Sequence, residues 1–164
     1  MAWRDYATEG FKSSGMREGA DIEKAVFGTP VIPPQERKSG YVPFQESVTF
    51  VKEHQPDPLK RSLFVKKLRS MVVEDCADTT VPVKFFTAVG TPLDQYHGVD
   101  AFFEQGGVLV TLDISAREKE VHKADVLLKA GMDNEGRVVI PDAELQQAAK
   151  NIAGILNQRS RLAA

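Results

Sequence analysis

The sequence predicts an α+β domain built on a central mixed β-sheet flanked by helices. Two observations carry this. Apolar residues recur at helical spacing over 58–77 and 142–158. Between those stretches lie β-patterned runs, two of them joined by Gly106-Gly107, a strong hairpin signal.

The first 56 residues are weakly patterned. Gly10, Gly15, Gly19, Gly28 and Gly40, with Pro30, Pro33, Pro34 and Pro43, interrupt regular elements. They predict an irregular N-terminal arm over 1–56, with a short helix at 18–26 and strand-like alternation in Tyr41–Lys52 (Val48, Phe50). Trp3, Tyr6 and Phe11 suit an arm that wraps the core or meets another copy in a homo-oligomer. Residues 57–164 are assigned to the core. Asp57-Pro58 is a helix start signal, and Leu59, Leu63, Phe64, Leu68, Met71 and Val72 follow on one side. Val81–Val89 is rich in Val, Phe and Thr and predicts a strand. Gly98–Glu104 and Val108–Ser115 are the hairpin arms. Ala124–Lys129 and Arg137–Ile140 are further strands. Pro141-Asp142 opens the last helix, with Leu145, Ala148, Ala149, Ile152, Ile155 and Leu156 on one side.

Composition excludes several classes. A chain of 164 residues can bury one core. A net charge of -2 gives no global attraction to nucleic acid or membrane, though a local basic patch for nucleic acid remains compatible with it. The single cysteine, Cys76, rules out an internal disulfide and multi-cysteine zinc sites. No apolar run approaches the ~20 residues that span a bilayer. The opening residues lack a signal-peptide layout, so a cytoplasmic protein without membrane contact is expected. P-loop, dinucleotide-binding and HExxH patterns are absent.

The sharpest inference concerns Asp100 and Asp113. A two-residue turn at Gly106-Gly107 pairs Gln105 with Val108. Counting outward, Phe103 meets Val110, Ala101 meets Leu112 and Val99 meets Ile114, which gives an apolar face. On the other face Phe102 meets Thr111 and Asp100 meets Asp113. Opposed side chains have Cβ atoms roughly 4.5–5.5 Å apart. Two carboxylates that close destabilise a sheet unless one is protonated, a Lys or Arg intervenes, or a divalent cation sits between them. Mg²⁺ is held by such carboxylates together with water and substrate phosphate. Solvated edge charges, or neutralisation by nearby lysines, are the alternatives.

Gly98-Val99-Asp100, followed after the turn by Val110-Thr111-Leu112-Asp113-Ile114-Ser115, resembles the core of the PD-(D/E)xK nuclease superfamily. The resemblance covers residues 57–129, with 116–123 as a short crossover. It implies a restriction-endonuclease-like fold and Mg²⁺- or Mn²⁺-dependent endonuclease or exonuclease activity, a hydrolase acting on phosphodiester bonds of DNA or another nucleic acid. Asp100 and Asp113 would be metal ligands, and Glu74 would match the acidic helix residue of many members. The chain departs from the pattern at Ser115, where the family has a lysine. The resemblance then leaves Lys123, or Lys119, to supply the missing cation. Without one, the fold would serve as an inactive assembly or interaction protein. A small-ligand module is the remaining class.

Other residues weigh less. Asp94, His97 and Asp100 are spaced by three, but Pro92 and Gly98 predict a loop there. His97 beside an acidic pair can ligate a metal or shuttle a proton, or merely stabilise a turn. His122 is expected at the surface and His54 in a loop without chemistry. Cys76, with no evident partner, is expected to be buried. The basic run Lys60, Arg61, Lys66, Lys67, Arg69 suits either a phosphate backbone or a solvated helix face.

Overall fold

The computed structural model describes residues 15–116 and 122–163. Their architecture is α+β, a four-stranded mixed sheet flanked by helices. The helices are α1 (Gly15–Phe27), α2 (Phe44–Glu53), α3 (Leu63–Asp75), α4 (Pro92–His97) and α5 (Asp142–Ala163). The main sheet holds β1 (Lys84–Thr87), β2 (Ala101–Gln105), β3 (Val108–Ser115) and β4 (Val126–Lys129) in that spatial order. β1, β2 and β3 form an antiparallel meander, and β4 runs parallel to β3. A separate small hairpin pairs β5 (Gly131–Met132) with β6 (Val138–Val139).

The hairpin register is the one that the glycine pair dictates. Gln105 faces Val108, Phe103 faces Val110 and Ala101 faces Leu112. Gly106 and Gly107 have φ of 58° and 82°, the left-handed region that a tight hairpin turn requires and that L side chains resist. One sheet face buries Phe85, Phe103, Val110, Leu112, Ile114, Val126 and Leu128 against α1, α3 and α5, which contribute Ile22, Leu68, Val72, Leu145, Ile152 and Leu156. The other face buries Phe102, packed with Val48 and Val51 of α2 and Leu93 of α4.

The N-terminal third differs from expectation. Residues 15–27 and 44–53, read from sequence as parts of an irregular arm, are helices packed on the core. The helix expected at 18–26 is α1, ended by Gly28 at φ 73°. The strand-like alternation of Tyr41–Lys52 is overturned, because α2 occupies it. Phe44, Val48 and Val51 recur at helical spacing and reach the second cluster, while Pro43 starts the helix. Trp3, Tyr6 and Phe11 lie outside the described residues.

The helix expected from Pro58 begins later. Pro58–Lys60 is a single 3-10 turn capped by the Asp57 carboxylate, and α3 starts behind Ser62, whose Oγ accepts from the Val65 amide at 3.2 Å. The basic run on this segment is largely spent on the fold. Arg61 donates to the Phe85 carbonyl (3.0 Å), Arg69 to the Val83 carbonyl (2.9 Å) and Lys67 to Asp142 (2.7 Å). Both arginines thereby cover carbonyls on the open side of edge strand β1 or just before it, where another chain would otherwise pair.

Candidate metal centre

Asp100 lies where the α4–β2 connection becomes sheet. Pro92–His97 was expected as loop and is instead the short helix α4, ended by Gly98 in the left-handed conformation (φ 67°). That cap turns the chain sharply. The Val99 amide bonds back to the Leu93 carbonyl (3.3 Å), so the expected Val99–Ile114 pair does not form, and Val99 packs in the α2–α4 cluster. The ladder is irregular here. The Asp100 amide donates to the Leu112 carbonyl (2.8 Å), which already faces Ala101. The Ile114 amide, left without a partner on Val99, donates to Asp100 Oδ2 (2.9 Å). The Asp100 side chain thus replaces a main-chain acceptor, and it is only 2 % exposed.

Asp113 is 8 % exposed, and its carboxyl is hydrogen-bonded to that of Asp100. Two carboxyl groups in that contact share a proton, since two charges there would repel with little water to screen them. Burial, the Asp113 hydrogen bond and repulsion from Glu23 and Asp94 push the Asp100 pKa up to about 10, against the opposing pull of the Ile114 amide. Protonation of one member is one of the ways to tolerate facing aspartates, and burial favours the protonated form of Asp100.

Two further carboxylates converge on Asp100. Glu23 comes from α1 and Asp94 from α4, and one oxygen of each lies within 4.8 Å of the others and of an Asp100 oxygen. Asp94 is held in place by the Gly90 amide, which donates to Oδ2 at 2.8 Å. An all-oxygen, carboxylate-rich donor set suits a hard divalent cation such as Mg²⁺, Mn²⁺ or Ca²⁺, and lacks the sulfur or imidazole that would favour zinc or copper. The residues present therefore fit such an ion.

The remaining sequence candidates are distributed unevenly. Glu74 is exposed near the end of α3 and outside the acidic cluster, whose helical acids are Glu23 on α1 and Asp94 on α4. The signal for Glu23 was available: Ile22 and Val26 mark the buried side of α1, with Glu23 beside them. His97 is likewise outside the acidic cluster. Its Nε2 donates to the Val42 carbonyl (2.8 Å), and its ring lies against Tyr41 and Phe44, which ties α4 to the start of α2. The Lys123 side chain lies along Gly98, where an added Cβ would sit 3.4 Å from Lys123 Cβ and Cδ. Lys119 lies outside the described residues. His122 Nδ1 contacts the Ala124 carbonyl at 2.6 Å, and His54 Nδ1 contacts the Phe50 carbonyl at 2.7 Å. Cys76 is buried, and burial pushes its thiol pKa up, which disfavours the reactive thiolate.

No protein-family model, curated protein or solved structure matches this chain. Among the described residues, no helix is long and apolar enough to cross a membrane.

The sequence reasoning also passed over Lys129. In the parallel β3–β4 ladder Ser115 is paired with Lys129, and Asp113 with Leu127. Paired residues on neighbouring strands share a face, and so do residues two apart on one strand. Lys129 therefore stands on the face of Asp113 and Ser115, one strand over. Finding it required the β3–β4 register, which the sequence does not display.

Proposed function

We propose that this chain is a divergent metal-dependent nuclease of the PD-(D/E)xK type, hydrolysing phosphodiester bonds of nucleic acid with Mg²⁺ or Mn²⁺. The observation that carries the reading is the buried Asp100 carboxyl, joined to Asp113 and within ligand-sharing distance of Glu23 and Asp94. The element order supports it in part: α3, the antiparallel meander β1–β3 and the parallel strand β4 match the first helix, the meander and the last strand that the resemblance implies, while the second helix it implies between meander and last strand is not among the described elements.

Asp100, Glu23 and Asp94 would hold the ion, with Asp113 sharing the load through its contact with Asp100. A divalent cation in this place supplies polarisation of a phosphate oxygen and a lower pKa for a coordinated water. The protein's own part is to bind, orient and manage protons. Burial fixes the Asp100 carboxyl in one position, and the Ile114 amide keeps one oxygen aimed along the sheet. Asp100 would have to give up its proton to solvent for a cation to bind there. Lys129 takes the role of the lysine that Ser115 lacks, offering positive charge on the same face to a developing phosphate charge. Lys123, beside Gly98, flanks the same end of β2.

Cleavage of plasmid and single-stranded DNA in Mg²⁺ or Mn²⁺ tests this. Wild type should cut, and Asp100→Asn and Asp113→Asn should not. Absence of cutting by wild type on DNA and RNA alike would refute the activity. Ser115 specifically favours a second reading, in which the same fold persists as a non-catalytic binding or assembly module. That reading predicts nucleic-acid or self-association unaffected by the aspartate substitutions.

A further inference from the structure

A groove lies at the start of α4, beside the Gly90–Asp94 turn. Its volume is about 530 Å³, and its walls include Lys24, Arg37, Lys38, Gly90 and Gln95. Among the described residues no aspartate or glutamate lines it. In a chain where acidic residues outnumber basic ones, 23 to 21, a groove with only cations is a marked local departure from the average surface. Among the described residues none of these cations joins the chain's ion pairs, which involve Lys52, His54, Lys67, Arg137 and Arg159. Lys24, Arg37 and Lys38 are all exposed. The Lys38 ammonium stands 5.6 Å above the Phe50 ring, an arrangement that leaves its hydrogen-bond donors available.

The groove is joined to the acidic cluster by the chain itself. Lys24 directly follows Glu23 on α1. Gly90, in the groove wall, donates its amide to the Asp94 carboxylate. Lys24 beside Glu23 in the chain, and Gly90 bonded to Asp94, bring the groove's residues next to those of the acidic cluster. A polyanion lying along the groove would be held by the cations and would deliver a phosphodiester to the acidic cluster.

We propose that the Lys24–Arg37–Lys38 groove is a phosphodiester-binding track for a nucleic-acid strand. This rests on the nuclease reading and adds how substrate reaches the site. The cations bind phosphate oxygens and carry no base specificity, so the track accepts a strand by its backbone.

The test is fluorescence anisotropy with a labelled oligothymidylate and with a labelled duplex, in EDTA so that nothing is cut. Wild type is compared with a Lys24→Gln/Arg37→Gln/Lys38→Gln variant. The substituted side chains are exposed, and a thermal melt checks that the variant is folded. The variant should bind at least tenfold more weakly. Its slope of log affinity against log salt should be shallower by about 2, since each neutralised phosphate of a single strand adds about 0.7 to that slope. The probe with the larger drop in affinity identifies the strand form that the track takes. Equal affinity and equal slope in the two proteins overturns the proposal, as does absence of wild-type binding at about 50 mM salt. Mn²⁺-induced thermal stabilisation, measured on the same proteins, separates this outcome from failure of the metal site. A wild type that binds DNA through the track but is not stabilised by Mn²⁺ retains the groove and loses the nuclease reading.

Discussion

The proton on Asp100 makes a quantitative prediction about pH. Its carboxyl is pushed up to about 10 in the folded chain, against an ordinary value of 3.8. Above pH 4 the unfolded chain gives up this proton and the folded chain keeps it. The unfolded state therefore binds fewer protons, and the metal-free protein loses stability as pH rises between these two values. The slope from this one group is at most about 1.4 kcal/mol per pH unit. From pH 6 to 8 the group should contribute a loss of about 2–3 kcal/mol. Glu23, Asp94 and Asp113 face it, and Asp100→Asn leaves them in place while removing the ionisation. The asparagine still offers an oxygen to the Ile114 amide. The assay is urea unfolding in EDTA at several pH values, for wild type and Asp100→Asn. The wild type should lose more stability with rising pH, and the difference between the two curves should open by the amount given. Parallel curves would show that Asp100 ionises normally and would remove the argument for a shared proton. The same linkage means that a cation competes with a proton. Apparent Mn²⁺ affinity should rise by close to tenfold per pH unit across neutrality.

Other substitutions probe separate parts of the account. Leu112→Ala deletes a fully buried side chain at the sheet centre and should destabilise by about 2–5 kcal/mol in denaturant unfolding. Arg159→Ala breaks the fork to Asp125, two bonds of 2.8 Å, and the bond to the Leu109 carbonyl; it should lower stability by about 1–3 kcal/mol. Burial alone would raise the Asp125 pKa, but the Arg159 and Thr111 bonds outweigh it and hold it below the ordinary value. That contribution is present above about pH 4 and disappears as pH falls through the depressed value, so the Arg159→Ala penalty should shrink in acid. Lys129→Gln should leave Mn²⁺ stabilisation intact while lowering cleavage at least a hundredfold, read as rate at saturating metal; unchanged cleavage would assign the cation elsewhere, with Lys123→Gln as the matching test.

What the sequence displayed was local. Gly106-Gly107 fixed the register from Gln105–Val108 to Ala101–Leu112 by turn geometry; beyond that the ladder is irregular, and Asp100 reaches Asp113 through its side chain and not as a ladder pair. The periods of α3 and α5 were visible because each buries one long apolar stripe. What stayed hidden depended on tertiary partners. Val48 and Phe50 alternate as a strand would, and only the packing of α2 on Leu93 and Phe102 makes the helical set Phe44, Val48 and Val51 the one that counts. The six-residue α4 was too short for a period, and its bounding Pro92 and Gly98 read equally well as loop punctuation. Glu23 lies far along the chain from Asp100, so their proximity follows from the docking of α1 and not from spacing. Lys129 needed the parallel pairing of β4.

The central claim is tested most directly by diffraction from crystals grown with Mn²⁺, recorded where manganese scatters anomalously. The account predicts one strong anomalous peak among the Glu23, Asp94 and Asp100 carboxylates, at about 2 Å from their oxygens, and its loss in Asp100→Asn. A map from crystals at saturating Mn²⁺ without such a peak, in which the Asp100 and Asp113 carboxyls still contact each other directly, would contradict it.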